Sequence, residues 1–328
     1  MTTQTLPTFD DVLAAHERVQ HVVRETPVLT HKALDDMSGA ELFIKAECLQ
    51  VTGSFKIRGA MNRLAQIPQA RRAAGVVAFS SGNHAQGVAR AARLLDMPAL
   101  IVMPSDAPRI KVDGVEADGA EIHFYDRDTE SREEIAAQIA EARGAIVVPS
   151  FDDADIIAGQ GTAGLEFASQ MAERDAPLDH LICCAGGGGL ITGIALAFEQ
   201  MSPSTRIWTA EPESHDDWAR SLDAGKIVSN APGTRSFCDA ILTPAPGDLT
   251  FALGSRLLSG GLRASDADVR SAMQSAFRCL KIVAEPGGAA ALAAALHHLP
   301  EDMKGKRVGV MVTGGNVDPQ MFAEILTA

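Results

Sequence analysis

Val76-Val77-Ala78-Phe79-Ser80-Ser81-Gly82-Asn83-His84 sets the reading of this chain. Four apolar residues, two of them β-branched, predict a short buried strand, and the Ser-Ser-Gly-Asn turn opens a helix over residues 85–95. The unit repeats downstream. Ala99–Met103 reads as a strand before a proline-containing loop and a helix near 109–118. Glu121–Tyr125 is a third strand, followed by a helix over about 130–142 and the strand Ala145–Val148. Strands and helices alternating at this spacing predict right-handed βαβ units on a parallel sheet.

The rhythm resumes after Pro149. A helix over about 159–173, the strand His180–Cys184, a glycine run into a helix over 190–200 and the strand Arg206–Ala210 follow in order. Residues 211–250, rich in Pro, Asp and Ser, predict an irregular segment beside the sheet. Helices near 266–279 and 288–298 precede a last strand, Arg307–Val312. Upstream, Thr8 and Asp10 are caps for a helix over 8–23, and Glu41–Ala46 alternates like a strand. No linker separates the two blocks, so a cleft between them is expected.

The 328 residues carry a formal net charge of −13, which argues against nucleic acid or an anionic membrane as partner. Hydrophobic residues make up 46% and charged residues 22%, the balance of a soluble globular protein with a sizeable core. The five cysteines are odd in number and lack C-x-x-C spacing, which predicts reduced thiols rather than a disulfide frame or zinc site. With no signal-like start and no membrane-length apolar run, a cytoplasmic protein is expected.

Three glycine-containing loops fall just after an apolar strand and before a helix: 80–84 (SSGNH), 186–189 (GGGG) and 313–316 (TGGN). That place is the carboxyl edge of a parallel sheet, where ligands bind. Gly186-Gly187-Gly188-Gly189-Leu190 matches neither G-x-G-x-x-G nor a P-loop, since Ile194 stands where the P-loop lysine belongs. A phosphate monoester fits it better than a nucleotide. A fourth stretch, Thr52-Gly53-Ser54-Phe55-Lys56-Ile57-Arg58-Gly59-Ala60, sets one lysine before an apolar helical run. A lysine among apolar neighbours has a lowered pKa and a free amine, although most lysines at helix starts simply face water.

Together, S-F-K-x-R-G, S-S-G-N-H, the glycine run and the late T-G-G-N resemble the fold-type II pyridoxal-phosphate enzymes, in their order along nearly the whole chain. The resemblance is strongest to the serine/threonine dehydratase and serine racemase group, and extends to Ile157–Thr162 and Glu285-Pro286-Gly287-Gly288-Ala289. It implies an α/β fold of the tryptophan synthase β type, two parallel-sheet domains with pyridoxal 5′-phosphate in the cleft. Residues 1–52 and 149–328 would form the large domain and 53–148 a small mobile one. Lys56 would form the Schiff base with the cofactor and act as base, with Phe55 beside the ring. Gly186, Gly187, Gly188, Gly189 and the Leu190 amide would hold the phosphate, Asn83 would meet the 3′-oxygen, and Thr313 would face the pyridine nitrogen.

For the substrate, the same resemblance implies Ser80, Ser81, Asn83, His84, Arg132 and Thr243, with Ser81 as an opposite-face proton donor. Glu211, His215 through its carbonyl, and Asp217 match a divalent-cation site for Mg2+, Ca2+ or Mn2+. The chain departs from the family at Arg235-Ser236-Phe237-Cys238-Asp239-Ala240, beside the substrate side chain. Arg235 is therefore a candidate for a second substrate carboxylate, as a 3-hydroxyaspartate requires. The implied activity is dehydration and deamination of L-serine, L-threonine or a related β-hydroxy amino acid. The alternatives are a 3-hydroxyaspartate dehydratase, a serine racemase and a catalytically silent cofactor-binding protein. A homodimer that takes a small amino-acid substrate is expected.

Overall fold

β10 (Arg307–Val312) explains the architecture: all its residues after Arg307 are buried, as in a strand covered on both faces. The computed structural model describes residues 5–80, 82–107, 109–126 and 128–328. The other strands are β1 (Val28–Leu29), β2 (Glu41–Ala46), β3 (Val76–Phe79), β4 (Ala99–Pro104) and β5 (Glu121–Tyr125), then β6 (Ile146–Val147), β7 (His180–Cys184), β8 (Arg206–Pro212) and β9 (Gly260–Ala264). They form a six-stranded sheet in the order β1-β2-β10-β7-β8-β9 and a four-stranded sheet in the order β5-β4-β3-β6. Every pair is parallel except β1 with β2. The alternation of apolar runs and helices thus gives the expected two parallel sheets.

The helix Pro286–His297 lies in the core of the larger sheet, buried from Pro286 to Leu296. Its run of alanines lets it sit close to β10 and β7. The helix Lys56–Ala65 instead turns Ile57, Ala60, Met61 and Leu64 into the core of the smaller sheet, beside Val76, Ala78 and Ile101. It crosses the helix Ala154–Glu173 where two glycines meet: a Cβ on Gly159 would lie 2.7 Å from Gly59 Cα. Any side chain there would push the Lys56 helix outward.

Charge fixes the same helix from its other side. Arg58, fully buried, donates from Nε and Nη2 to the two oxygens of Glu47 at 2.8 and 2.7 Å, and from Nη2 to Glu166 at 3.0 Å. Lys45 of β2 pairs with Glu166 as well. Breaking one side of such a buried pair costs on the order of 3–5 kcal/mol, because the partner charge is stranded.

Some boundaries differ from expectation. The segment after β8 is more regular than its composition suggests, holding the helix Asp217–Ala224 and the start of Asp248–Leu257. β9 and the helix Lys32–Ser38 are also additions. The helix expected at 159–173 begins at Ala154, because the Asp153 carboxylate caps the Asp155 and Ile156 amides. The one expected over 266–279 is α-helical only to Ser275 and ends in a wider turn, Ala276–Leu280. Among the described residues, no helix is long and apolar enough to cross a membrane.

Candidate active site

A cavity of about 520 Å³ opens between the two sheets, at the carboxyl ends of β3, β7 and β10. It brings together Phe55, Lys56, Ser80, Asn83, His84, Arg132, Gly186 to Leu190, Thr243 and Thr313. Ser81 lies outside the described residues. Arg235 is exposed and does not line the cavity, so in this structure it is not placed to hold a substrate carboxylate; its carbonyl accepts from Ser214 Oγ at 3.2 Å.

Lys56 stands at the first turn of its helix, its Nζ 3.0 Å from the Ser150 carbonyl and 5.2 Å from the Phe55 ring centroid. Loss of water around the amine lowers its pKa to about 8, so a sizeable neutral fraction exists near neutrality. The glycine loop faces it. Trp218 Nε1 donates to the Gly186 carbonyl at 2.6 Å, Thr250 Oγ1 to that of Gly187 at 2.7 Å, and Thr192 Oγ1 to that of Gly188 at 2.9 Å. The carbonyls are thus occupied, while the first amides of the helix Gly189–Met201 have no intrahelical partner and suit an anion. Thr313, at the end of β10, is buried with its hydroxyl 3.2 Å from Cys184 Sγ.

These groups fit pyridoxal phosphate on structural grounds alone. The loop residues cannot carry side chains: a Cβ on Gly187 would fall 2.2 Å from the Phe151 ring, and one on Gly188 2.1 Å from Trp218. The amine, the anion cradle and a neutral hydroxyl line one cavity.

His84 reads differently from expectation. Its Nε2 lies 3.1 Å from the Val148 carbonyl, which only accepts, so the ring's N–H is spent there. Burial, with the nearby Lys56 charge, drives its pKa down to about 3, leaving a neutral ring. Its imidazole therefore offers a carboxylate no donor, whereas the first backbone amides of its helix have no intrahelical partner. Arg132 sits at the mouth, 44% exposed, paired with Glu133 at 2.8 Å and stacked 5.6 Å from the Phe79 ring centroid.

Lys111 and Glu285 also line the cavity, and the sequence reading gave them no role. Lys111 is buried and forms an ion pair with Asp239 across the cavity. A lysine at the same helix face as the buried Val115, four residues on, was the available signal. Glu285 is fully buried, and burial raises its carboxyl to about 7.

Away from the cavity, Glu211 ends in a buried carboxylate that accepts the Trp218 and Ala219 amides at 2.9 Å each. Asp217 is buried too; Asn230 satisfies one oxygen at 2.6 Å and Oδ2 has no partner. Burial, then their mutual repulsion, pushes Glu211 well above the carboxylate range, and burial raises Asp217 to about 6. Among the described residues no three acidic, imidazole or thiol side chains converge as ligands. A cation there would need a backbone carbonyl as the third donor, the role expected of His215. The orphaned Asp217 oxygen and the unneutralised acidic pair fit that demand.

Comparison with known proteins agrees with this geometry. The chain is 46% identical over 322 residues to an L-threo-3-hydroxyaspartate ammonia-lyase of Pseudomonas sp, covering 98% of this chain and 99% of that one. It is 39% identical to a serine racemase of Schizosaccharomyces pombe, with 98% of each chain covered. The solved maize serine racemase superposes with a TM-score of 0.92 at 37% identity, covering 98% of both chains. Residues 19–314 match the family described as pyridoxal-phosphate dependent enzyme. With a desolvated lysine, a glycine cradle and a hydroxyl around one cavity, the chain belongs to the pyridoxal-phosphate-dependent enzymes of fold type II.

Proposed function

We propose that the protein is an ammonia-lyase that converts β-hydroxy amino acids to keto acids and ammonia, with L-threo-3-hydroxyaspartate as its main substrate. The observation that carries the reaction class is the Lys56 amine, desolvated and facing the same cavity as the glycine loop and Thr313. Pyridoxal phosphate, when bound, supplies the electron sink that acidifies the substrate Cα. Lys56 Nζ is the base that takes the Cα proton, its lowered pKa making the neutral amine accessible. The Thr313 hydroxyl would meet the ring nitrogen without holding it protonated, as a carboxylate would. A weaker sink favours prompt loss of the β-hydroxyl over a long-lived carbanion. Ser80, Ser81 and the amides at the head of the Asn83–Leu94 helix hold the α-carboxylate.

The substrate assignment is supported by the Pseudomonas relative and by hydroxyaspartate lyases or dehydratases of Saccharomyces cerevisiae and Paracoccus denitrificans at 41% and 42% identity. Arg132, at the cavity mouth, takes the second carboxylate in place of Arg235. Glu211, Asp217 and the His215 carbonyl bind Mg2+ or a similar hard cation. The enzyme acts as a cytoplasmic homodimer with residues 53–148 as its mobile domain. Exposed Phe277, Val283 and Met321 supply apolar surface for association.

A keto-acid assay across serine, threonine and the hydroxyaspartate stereoisomers, with optical analysis of residual substrate, tests the reading. L-threo-3-hydroxyaspartate should give the highest kcat/KM, and Arg132→Ala should lower it about tenfold or more while sparing serine. A yellow protein that releases no keto acid from any of them overturns the lyase assignment. Inversion of serine outpacing elimination would instead favour a racemase.

A further inference from the structure

A chain of side-chain amides joins three of the motif loops. Asn316 Nδ2 lies 2.8 Å from the Thr52 carbonyl and 2.8 Å from Asn83 Oδ1, with a longer 3.4 Å approach to Gln86 Oε1. Asn83 Nδ2 in turn donates to Glu285 Oε1 at 2.5 Å. The orientation of this chain follows from its first link. A backbone carbonyl only accepts, so the Asn316 atom facing Thr52 must be the NH2. The Asn83 atom beside that NH2 must then be its oxygen, and the Asn83 NH2 must face Glu285.

The NH2 of Asn316 has two hydrogens, and both are used. That of Asn83 also has two, of which Glu285 takes one. The remaining N–H belongs to a residue that lines the cavity. Both ends of the relay have room only because glycines stand beside them. A Cβ on Gly53 would lie 2.3 Å from Asn316 Oδ1, and one on Gly314 2.0 Å from Glu285 Oε1. Asn83 and Glu285 are nearly or wholly buried, so water does not compete for these bonds.

We propose that Asn316 and Glu285 are positioning residues that lock the Asn83 amide in one orientation, with its free N–H directed to the phenolic oxygen of pyridoxal phosphate. The proposal rests on Asn83 meeting the cofactor. Held in the turned-over orientation, the amide would present its own oxygen to that phenolate, exchanging attraction for repulsion. Glu285 has the right chemistry for its end, since a buried carboxyl near its titration point keeps an acceptor oxygen in either state. Among the described residues, Asn83 is the side-chain donor to Glu285 Oε1, while Oε2 is buried without a partner.

The experiment uses full-length Asn83→Ala, Asn316→Asp, Glu285→Leu and Glu285→Gln proteins, each stripped of cofactor and titrated with pyridoxal phosphate. The readouts are dissociation constant, position of the visible band, and kcat and KM. Asn316→Asp keeps the shape but donates to neither partner; Glu285→Leu removes the acceptor. Both should weaken cofactor binding about tenfold, shift the band and lower kcat more than they raise KM, one hydrogen bond to a charged group being at stake. Glu285→Gln keeps an acceptor oxygen and should stay within about threefold of the parent. If Asn83→Ala is impaired while Asn316→Asp and Glu285→Leu match the parent, the relay is refuted and the cofactor contact stands. If Asn83→Ala also matches the parent, the contact itself is wrong. If Glu285→Gln fails as badly as Glu285→Leu, Glu285 acts by charge or packing and the relay falls.

Discussion

Gly188→Ala should damage this enzyme more than a glycine substitution ordinarily does, and the structure says by how much. Gly188 caps the helix Gly189–Met201 at φ 99°, a backbone region that L residues rarely adopt. The strain alone costs on the order of 1 kcal/mol. The new methyl would also fall 2.1 Å from Trp218 Cζ2 and 3.0 Å from Thr250 Cβ. Carbon atoms pack at about 3.5–4.0 Å, so something must move by about 1.5 Å. Trp218 cannot retreat freely: it is fully buried and its Nε1 holds the Gly186 carbonyl. Overpacking of this kind costs about 1–3 kcal/mol, for a total of about 2–4 kcal/mol. Because the moving parts are the cradle itself, affinity for pyridoxal phosphate should drop about tenfold to a hundredfold, the worth of one displaced charge-assisted hydrogen bond. Gly225→Ala is the control. It has a similar left-handed backbone, φ 64°, with nothing within 4 Å of the added methyl, so it should cost about 1 kcal/mol and leave cofactor affinity alone. Urea unfolding of the apoprotein and a cofactor titration followed by tryptophan fluorescence measure both quantities. If Gly188→Ala is no worse than Gly225→Ala in either, the loop is not the rigid phosphate cradle described above.

Three further outcomes are expected. Lys56→Ala should abolish the visible band that the bound cofactor shares with the lysine and bring turnover to background; surviving turnover would show that another group is the base. The neutral, buried His84 should make the apoprotein acid-sensitive. Its pKa is lowered to about 3 in the folded chain against about 6.5 unfolded, so only the unfolded chain gains a proton as pH falls from 6.5. Stability should decline by up to about 1.4 kcal/mol per pH unit across that window, and His84→Gln should flatten the slope measured by urea titration at pH 7, 6 and 5. Exhaustive chelation should lower the melting temperature by several degrees, with Mg2+ restoring it, because a cation relieves the Glu211–Asp217 repulsion. An unchanged melting temperature and rate would remove the cation from the account.

The fold was legible where burial leaves a periodic trace. β4, β7 and β10 are covered on both faces and read as unbroken apolar runs, so their limits agree with the sequence to within a residue. β9 reads Gly-Gly-Leu-Arg-Ala and is only partly buried up to its last residue, so it carries neither an apolar run nor a clean alternation. In the site, the three glycine loops stand out because each directly follows a buried apolar strand, whereas the lysine stretch opens a helix away from any strand end. What stayed hidden is pairwise. Asn316 and Asn83 are 233 residues apart, Asn83 and Glu285 202, Lys111 and Asp239 128, and no local pattern encodes such partnerships. Arg235 shows the complementary failure: its chemistry suits a carboxylate, but it is exposed and does not line the cavity, and chemistry does not say where the fold puts a side chain.

The placement of Lys56 follows from two opposing demands on one helix. Its apolar face, Ile57, Ala60, Met61 and Leu64, belongs to the core of the smaller sheet. Yet Arg58, one residue into the same turn, is tied to Glu47, which directly follows β2 of the larger sheet, and to Glu166 on the long helix Ala154–Glu173. The backbone just before it is held to the larger sheet as well, Phe55 N donating to the Thr313 carbonyl at 3.2 Å and Gly315 N to that of Gly53 at 2.9 Å. A lysine carried only by the smaller core would shift against the glycine loop whenever the two halves moved. Buried ion pairs are poor stabilisers, since desolvation offsets much of their attraction, but they tolerate little displacement. Arg58, Glu47 and Glu166 therefore make better sense as a register device than as a source of stability: they tie the Lys56 helix to the larger sheet and so hold the amine in place against the glycine loop.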